Sequence, residues 1–321
     1  MRLGRYGAAM RVFVAGATGA IGRRLVPSLV EAGHEVTGMT RSPDKTEALR
    51  AAGAEPATCD ALDGDAVRRA VAAARPEVVV HELTAIPPAF NPRRIADEFA
   101  LTNRLRSDGT RHLVDAARAA GARRVVAQSI AFAYAPIGDW VKDEDAELFL
   151  DAPEAYRSTV EAVHSLETTV LGAEDLDGVV LRYGFFYGPG TSYAPDGAVA
   201  EQVRRRRFPI GGNGAGRFSF IHLDDAARAT VAAVEGGPPG AYNVVDDEPA
   251  PVSDWLPAYA AALGAPAPWR VPGWVVRLVG GRYALYALTQ LRGASNGRAR
   301  ERLGWTPQLS SWRQGFVQAL G

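Results

Sequence analysis

The chain has 321 residues, of which 36 are basic and 36 acidic, so its formal net charge at neutral pH is zero. This balance argues against a general nucleic-acid binder, which needs an excess of basic side chains. The single cysteine, Cys59, excludes an internal disulfide and favours a reducing, cytoplasmic location. With one cysteine and 5 histidines, the sequence gives no indication of a metal site.

The chain contains no long uninterrupted apolar run of the kind that targets or spans a membrane. Residues 1–9 precede Met10 and the first predicted strand, and we expect them to form a disordered arm. The late apolar stretch 271–291 is interrupted by Arg277 and Arg282, so it predicts an amphipathic packing helix and no membrane span.

Short apolar runs alternate with helical spacings along the chain. The predicted strands are 11–15, 34–39, 77–81, 124–129, 178–182 and 241–245. The predicted helices are 20–31, 65–74, 97–120 with a break near Gly109, 158–171 and 224–235. Uniformly apolar strands that alternate with helices indicate a parallel sheet covered on both faces. We therefore predict an α/β protein with a doubly wound Rossmann sheet.

The regular alternation is lost after Tyr183, where turns rich in proline and glycine separate short elements. We predict a dinucleotide-binding Rossmann domain over 10–183, which also receives about 220–246. Residues 184–219 and 247–321 are predicted to form a smaller C-terminal substrate lobe. The basic run Arg204 to Arg207 lies in this part, either as an anion-binding segment or, more often for such runs, as a solvated face.

A glycine-rich turn joins the first predicted strand to the first helix and reads GATGAIG over 16–22. In this context the first glycine permits the turn, the second lets the backbone approach a pyrophosphate, and the third allows close helix–strand packing. The N–H groups at the start of the helix then face the phosphates. The turn predicts a nicotinamide dinucleotide site that includes Gly16, Thr18, Gly19, Ala20, Ile21 and Gly22.

The residues after the second predicted strand bear on the choice of cofactor. A carboxylate at this place binds the ribose 2′-hydroxyl of NAD, whereas an arginine accommodates the 2′-phosphate of NADP. The segment reads MTRS over 39–42 and holds Arg41 but no acid. We predict NADP, with NAD as the alternative if Arg41 is a solvated loop residue.

Further motifs resemble those of the extended short-chain dehydrogenases/reductases, the NAD-dependent epimerase/dehydratase family. They are CDALD (59–63), HELTA (81–85), GTRHLVDAARAAGARRVVAQS (109–129), LRYGFFYGPG (181–190), FIHLDDAA (220–227) and SNGRARERLGWTP (295–307). The resemblance implies that Asp60 and Ala61 flank the adenine and that Leu83 and Thr84 line the dinucleotide. It also implies that Ser129 ends the strand beneath the nicotinamide.

The catalytic signature of that family is incomplete in this chain. The family uses a Ser or Thr, a Tyr, and a Lys four residues after the Tyr, and the lysine lowers the tyrosine pKa for proton exchange. Tyr156 is the candidate proton donor, but Val160 occupies the lysine position. In the family a glutamate often follows the lysine. If Glu167 is taken as that glutamate, Thr159 and Val163 occupy the tyrosine and lysine positions, so both registers lack the lysine.

The serine position of the signature is displaced as well. The family places its Ser or Thr four residues before a Tyr-Gly pair, and here Tyr134 puts Ile130 at that place and Ser129 one residue away. We predict Ser129 as the residue that holds the substrate oxygen. Three other tyrosines could supply a phenol to the substrate instead: Tyr183, Tyr187 and Tyr193. For most such residues a place in the pocket wall or the core is the more frequent role.

Two histidines are weaker candidates for proton transfer, and two residues of a later motif are expected to be structural. His81 ends a strand at the cofactor cleft, where packing is the more frequent role, and His164 lies near the missing lysine. In FIHLDDAA we expect His222 to be structural and Asp224 to cap the helix that follows.

Together these features predict an NADP(H)-dependent oxidoreductase that acts on a small carbonyl or alcohol. The alternatives are a non-redox epimerase, dehydratase or isomerase that retains its nucleotide, and a nucleotide-sensing protein without turnover. The family resemblance also implies a homodimer in which helices 97–120 and 158–171 pair across a two-fold axis.

Overall fold

The structure, a computed structural model, describes residues 9–320; the predicted arm 1–9 lies outside it except for residue 9. The strands are β1 (Arg11–Ala15), β2 (Glu35–Thr40), β3 (Glu55–Thr58), β4 (Val78–His81), β5 (Arg124–Ile130), β6 (Val141–Lys142), β7 (Asp177–Tyr183), β8 (Phe185–Tyr187), β9 (Ile210–Gly211), β10 (Arg217–Phe218), β11 (Phe220–His222), β12 (Gly240–Val244), β13 (Ala250–Pro251), β14 (Arg270–Val271) and β15 (Gly293–Ala294). The helices are α1 (Gly22–Glu31), α2 (Thr46–Ala51), α3 (Gly64–Ala74), α4 (Ile95–Glu98), α5 (Ala100–Arg104), α6 (Thr110–Ala119), α7 (Glu154–Leu171), α8 (Ala198–Arg204), α9 (Leu223–Glu235), α10 (Val252–Ala262), α11 (Gly273–Thr289), α12 (Gly297–Arg302) and α13 (Trp312–Leu320). A 3₁₀ turn covers Pro43–Lys45, and a π-helical segment covers Leu105–Gly109.

Seven strands form one parallel sheet in the order β12-β7-β5-β4-β1-β2-β3. The strand order reverses between β1 and β4, and sheets of this kind bind ligands outside the carboxyl ends of the strands at that point. The predicted α/β class and the doubly wound Rossmann sheet are confirmed.

Helices cover both faces of the sheet, and the alternation along β1 shows how. Val12 and Val14 pack in one apolar cluster with residues of α1 and α9. Phe13 and Ala15 point to the other face and pack with residues of α3 and α6. Each fully buried valine or phenylalanine side chain among them stabilises the fold by about 1.5–3 kcal/mol.

A further apolar cluster lies among the segments that follow β7 and is rich in aromatic rings. Its fully buried members include Tyr187, Phe220, Trp255, Tyr259 and Trp312. These rings come from β8, β11, α10 and α13, so the C-terminal segments pack around a core separate from the two faces of the sheet.

Several boundaries differ from the sequence prediction. The edge strand β3 was not predicted, because it reads EPAT and is only partly buried, and a proline suits an edge strand. The predicted helix 97–120 is divided into α4, α5, the π-helical segment and α6, with the irregularity next to Gly109. Helix α7 begins at Glu154, four residues before the predicted start at Ser158.

The late apolar stretch forms α11, which kinks at Gly281 (φ 82°). Its first half exposes Trp274, Leu278 and Val279 by 65% or more, so this half does not pack as the sequence predicts. Across residues 9–320 no helix has both the length and the apolar composition that a membrane crossing requires.

Candidate active site

The glycine turn is built so tightly that side chains cannot replace two of its glycines. The Gly19 N–H donates to the Gly16 carbonyl at 2.9 Å, and Gly16 has a φ of 92°. A Cβ on Gly16 would lie 2.6 Å from the Glu82 carbonyl oxygen, and one on Gly22 would lie 2.3 Å from the Gly16 oxygen. The turn is therefore pressed against the end of β4, the arrangement that a dinucleotide pyrophosphate requires.

The remaining turn residues leave the start of α1 open. Gly19 and Ala20 are exposed, whereas Ile21 is 4% exposed and anchors the helix in the core. The Thr18 hydroxyl lies 3.5 Å from that of Thr40 at the end of β2. The turn thus presents backbone N–H groups to a ligand at the helix N-terminus, which suits a phosphate.

The ends of β2 and β3 bring the predicted adenine-side residues to one edge. Thr40 pairs with Thr58, so Arg41 and Asp60, which follow the two strands closely, lie on the same side of the sheet. Both are exposed, and the Asp60 carboxylate accepts the Leu62 N–H at 2.9 Å. Ala61 is buried, and its carbonyl lies 2.9 Å from His112 Nδ1.

The end of β4 holds Leu83 and Thr84 through His81. The Leu83 N–H donates to His81 Nδ1 at 3.1 Å, and His81 Nε2 lies 3.0 Å from the Thr110 hydroxyl. Burial lowers the pKa of His81 to about 4, so the ring is neutral near pH 7. With both ring nitrogens engaged, His81 fixes the strand end, and Leu83 and Thr84 remain half-buried and exposed, respectively.

Glu82 directly follows β4 and is buried on the opposite face of the sheet from His81. It was not singled out from the sequence. The Tyr183 hydroxyl donates to its Oε1 at 3.3 Å and lies 2.6 Å from the Thr230 hydroxyl. Its Oε2 has no partner among the described residues. Burial raises the pKa of Glu82 to about 8, so the carboxyl is largely protonated near neutral pH.

Ser129 lies at the end of β5 as predicted from the resemblance, but its hydroxyl points into a buried ion pair. It donates to Glu167 Oε1 at 2.7 Å, and Arg182 donates to both oxygens of Glu167 at 2.9 and 2.6 Å. A further Arg182 donor reaches the Tyr134 hydroxyl at 3.0 Å. Burial alone would lower the pKa of Arg182, but the hydrogen bonds of Glu167 and Tyr134 raise it, so the guanidinium stays charged.

Tyr156 is 2% exposed, and its hydroxyl donates to the backbone carbonyl of Phe132 at 3.3 Å. The rings of Tyr283 and Tyr286 lie 4.7 and 6.3 Å from its ring centroid. Burial, followed by these two tyrosines, raises the pKa of Tyr156 well above its usual value of 10. The two candidate lysine positions hold the fully buried Val160 and Val163.

Aromatic rings lie just beyond the carboxyl ends of two neighbouring strands. Phe132 follows β5 by two residues and Phe185 follows β7 by two, and Ile130 pairs with Tyr183 at the strand ends. The Phe132 and Phe185 rings stack at 4.2 Å with an interplanar angle of 14°. Both side chains remain partly exposed, so they offer an aromatic surface beside the predicted nicotinamide position.

The weaker candidates lie elsewhere or serve the fold. Tyr187 and Tyr193 belong to the C-terminal aromatic core, where burial raises the pKa of each. His164 is exposed on α7. The basic run 204–207 is exposed, and Arg205 pairs with Glu201 at 2.7 Å.

The prediction that Asp224 caps α9 is wrong. His222 occupies the N-cap position, and its Nδ1 accepts the Asp224 N–H at 3.3 Å. Asp224 lies in the first turn instead, 3.5 Å from Arg24, where its charge still suits the helix N-terminus. Within residues 9–320 no three His, Cys, Asp or Glu side chains are grouped closely enough to hold a metal ion.

Two curated relatives cover most of the chain and are both reductases. The chain is 52% identical over 313 residues to a 3-diazoavenalumate denitrifying reductase from a Streptomyces species, which covers 96% of this chain and 99% of that one. It is 30% identical over 276 residues to the 2-alkyl-3-oxoalkanoate reductase of Stenotrophomonas maltophilia, which covers 80% and 77%.

Solved structures share the fold at lower identity. The UDP-glucose 4-epimerase of Thermotoga maritima, solved with UDP-glucose, superimposes with a TM-score of 0.75 at 21% identity over 96% of this chain and 97% of that one. The Thermus thermophilus UDP-glucose 4-epimerase, solved with NAD, gives 0.73 at 23% identity over 97% and 98%.

The family assignment rests on sequence as well as fold. The sequence pattern of the NAD dependent epimerase/dehydratase family matches residues 12–244, which include the glycine turn and every strand of the parallel sheet except one residue of β1. The predicted resemblance is confirmed, and the family and its reductase relatives indicate an NAD(P)-dependent oxidoreductase or epimerase. The chain belongs to the NAD-dependent epimerase/dehydratase family.

Proposed function

We propose that this protein is an NADPH-dependent reductase that replaces the diazo group of a small aromatic compound with hydrogen. The observation that carries the proposal is the absence of an available proton donor at the expected catalytic positions of the described chain. Tyr156 is bonded to a backbone carbonyl, Ser129 is bonded to Glu167, and valines stand where a lysine is expected.

The residues of the glycine turn fit the dinucleotide, because a Cβ at Gly16 or Gly22 would fill the space that the backbone needs. We assign the pyrophosphate to the turn and α1, the adenine to Asp60 and Ala61, and the nicotinamide side to Leu83 and Thr84. Arg41, exposed beyond the end of β2, would bind the 2′-phosphate of NADP. When bound, the reduced nicotinamide supplies a hydride.

The two substrate classes make different demands on the protein. A carbonyl that accepts a hydride must also receive a proton at oxygen, which is why such sites hold a general acid. An aromatic diazonium carbon needs none, because the hydride electron pair forms the new C–H bond while the C–N pair leaves with N₂. The residues of this site therefore need to bind and orient the ring, not to move a proton.

The surroundings of the site favour a flat aromatic substrate. Phe132 and Phe185 are partly exposed beyond the ends of β5 and β7, and Tyr283 lies against Tyr156. Aromatic pairs of this kind add about 0.5–1.5 kcal/mol to ring binding beyond buried area. The relative of 52% identity is a reductase whose name specifies a diazo compound and a denitrifying reaction, which supports the same chemistry here.

The test is to mix the protein with NADPH and 4-hydroxybenzenediazonium, with 4-hydroxyacetophenone as the carbonyl counterpart. We expect one NADPH consumed per N₂ released, and deuterium from nicotinamide-labelled NADPH at the ring carbon that carried nitrogen. A reaction without protein measures spontaneous loss of N₂. Reduction of the ketone alone would return the assignment to the carbonyl reductase predicted from sequence.

A product formed with no net use of NADPH would favour the epimerase or dehydratase alternative. NADPH binding without any reaction would favour the nucleotide-sensing one. The homodimer remains a prediction, and a monomer in light scattering would contradict it.

A further inference from the structure

Arg106 is a buried cation without an anionic partner in the described chain. It lies in the π-helical segment Leu105–Gly109 and is 3% exposed. Its Nη1 has no hydrogen-bond partner among the described residues, and no carboxylate supports its charge. Burying an unpaired charge is costly for a fold, and π-helical segments frequently occur at functional sites.

The segment that carries Arg106 packs against two elements of the candidate active site. The Thr110 hydroxyl donates to the Arg106 carbonyl and also lies 3.0 Å from His81 Nε2 at the end of β4. The π-helical segment also packs against α7, the helix that carries Tyr156. Since the Tyr156 hydroxyl bonds to Phe132 beyond β5, the segment that carries Arg106 lies near the carboxyl ends of β4 and β5.

Other polar atoms near Arg106 also lack partners. Asn103 precedes Arg106 by three residues, a spacing that places two residues on one face of a helix, and its Oδ1 is buried and unpartnered. Its amide nitrogen donates to Ser158 on α7 at 3.4 Å, and the adjacent Thr159 has a buried, unpartnered hydroxyl. The interface between the π-helical segment and α7 is thus polar and incompletely bonded.

We propose that the Arg106 guanidinium binds an anionic oxygen, a carboxylate or phenolate, of the aromatic substrate. A guanidinium presents planar paired donors that match such oxygens, and the bonds are strengthened by charge. The inference rests on the proposed function for the position of the reacting ring. The π-helical segment thus supplies a positive charge through Arg106. Helix α7 supplies none at the expected lysine positions, which hold Val160 and Val163.

The test compares Arg106→Met with Arg124→Met. Arg124 is also buried, but it donates to the carbonyls of Ala233, Gly236 and Gly237 at 2.7–2.8 Å and lies at the opposite end of β5. We expect Arg106→Met to melt at or above the wild-type temperature because an unpaired charge is removed. Arg124→Met should melt lower because its three carbonyl bonds and its 3.4 Å bond to Asp177 are lost.

The binding probe is benzoate, with neutral benzamide as its control, titrated by calorimetry into apo and NADP⁺-loaded protein. We expect Arg106→Met to weaken benzoate by about tenfold or more, the loss of one charge-assisted bond, and to leave benzamide and NADPH affinities unchanged. Arg124→Met retains wild-type benzoate affinity.

Two results would overturn the proposal. A lower melting temperature for Arg106→Met would mean that Arg106 supports the fold, and wild-type protein that does not prefer benzoate to benzamide would remove the anion site. Selective benzoate binding with no reduction of diazo compounds would refute the proposed function and leave the anion site standing.

Discussion

Ser129 donates a 2.7 Å hydrogen bond to Glu167, and this bond joins the end of β5 to helix α7. Glu167 is held at the same time by two donors of Arg182, which extends from β7. All three side chains are less than 9% exposed. A residue at the position expected to hold the substrate oxygen thus takes part in an interaction that links two strands and a helix.

Replacing Ser129 with Ala tests which role dominates. We expect a loss of about 1 kcal/mol in the free energy of unfolding, because Glu167 keeps its bonds to Arg182, and turnover within roughly twofold of wild type. If Ser129 held the substrate oxygen, turnover would fall by about 100-fold or more, as for other lost oxygen-binding donors. Ser28→Ala, which removes an exposed hydroxyl bonded within α1 at 2.8 Å, controls for the substitution.

Tyr156→Phe separates the two substrate classes. We expect reduction of a diazo compound to change by less than about threefold, because the hydroxyl faces a backbone carbonyl and no proton is required. Tyr242→Phe is the matched control, since its partly buried hydroxyl donates to the Pro238 carbonyl at 2.6 Å at the far edge of the sheet. A loss of about 100-fold confined to Tyr156→Phe would restore the proton-donor role predicted from sequence.

Arg41→Ala tests the choice of cofactor. An arginine bonded to a phosphate contributes about 1.5–3 kcal/mol, so we expect NADPH affinity to fall by about tenfold or more while NADH affinity is unchanged. Fluorescence titration of the reduced nicotinamides measures both. Arg50→Ala, an exposed arginine of α2 that pairs with Glu47 at 3.4 Å, should leave both affinities unaltered; an equal loss of NADPH and NADH with Arg41→Ala would contradict the assignment.

Gly22→Ala tests whether the glycine turn binds the dinucleotide. The new Cβ would lie 2.3 Å from the Gly16 oxygen and 2.6 Å from the Ala17 backbone, so the turn must move. We expect dinucleotide binding to be lost and the free energy of unfolding to fall by about 1–3 kcal/mol. Gly236→Ala is the control, because its Cβ would meet nothing within 4 Å and its backbone is extended. Retained NADPH binding in Gly22→Ala would place the dinucleotide elsewhere.

The sheet and the glycine turn could be predicted because local patterns determine them. Strands such as β4, buried at every residue, appear in the sequence as uniform apolar runs. The edge strand β3 lacks that signal because none of its residues is buried and it contains Pro56. Helix α2 is a short surface helix with Leu49 as its buried residue, so too few apolar positions repeat to reveal it.

The chemistry of the site depends on contacts between distant residues and could not be predicted in the same way. The sequence does not distinguish Arg106 from an ordinary solvated arginine in a helix, and its burial is evident only in the folded structure. Glu82 and Tyr183 are 101 residues apart in sequence, and no spacing rule joins them. The absence of the lysine is visible in the sequence. The bond between Tyr156 and Phe132 joins residues 24 positions apart and is visible only in the folded structure.

Glu82→Gln tests the buried carboxyl through the dependence of stability on pH. The folded pKa is about 8 and the reference value is 4.5, so between these values the unfolded chain loses a proton that the folded chain keeps. Wild-type stability therefore decreases relative to the Gln variant as pH rises through this window, by about 1.4 kcal/mol per unit of pKa difference. Below the window both states are protonated and the two proteins differ least.

The measurement is urea unfolding of wild type and Glu82→Gln at about pH 5 and about pH 8, with the difference in unfolding free energy taken at each pH. His81, whose pKa burial lowers to about 4 from 6.5, acts in the opposite direction, since its folded form gains stability as pH rises from 4 to 6.5. Because both proteins contain His81, its contribution cancels in the difference. A difference that stays constant between the two pH values would mean that Glu82 is already ionised in the folded protein, and would require a cation or water at its unpartnered oxygen.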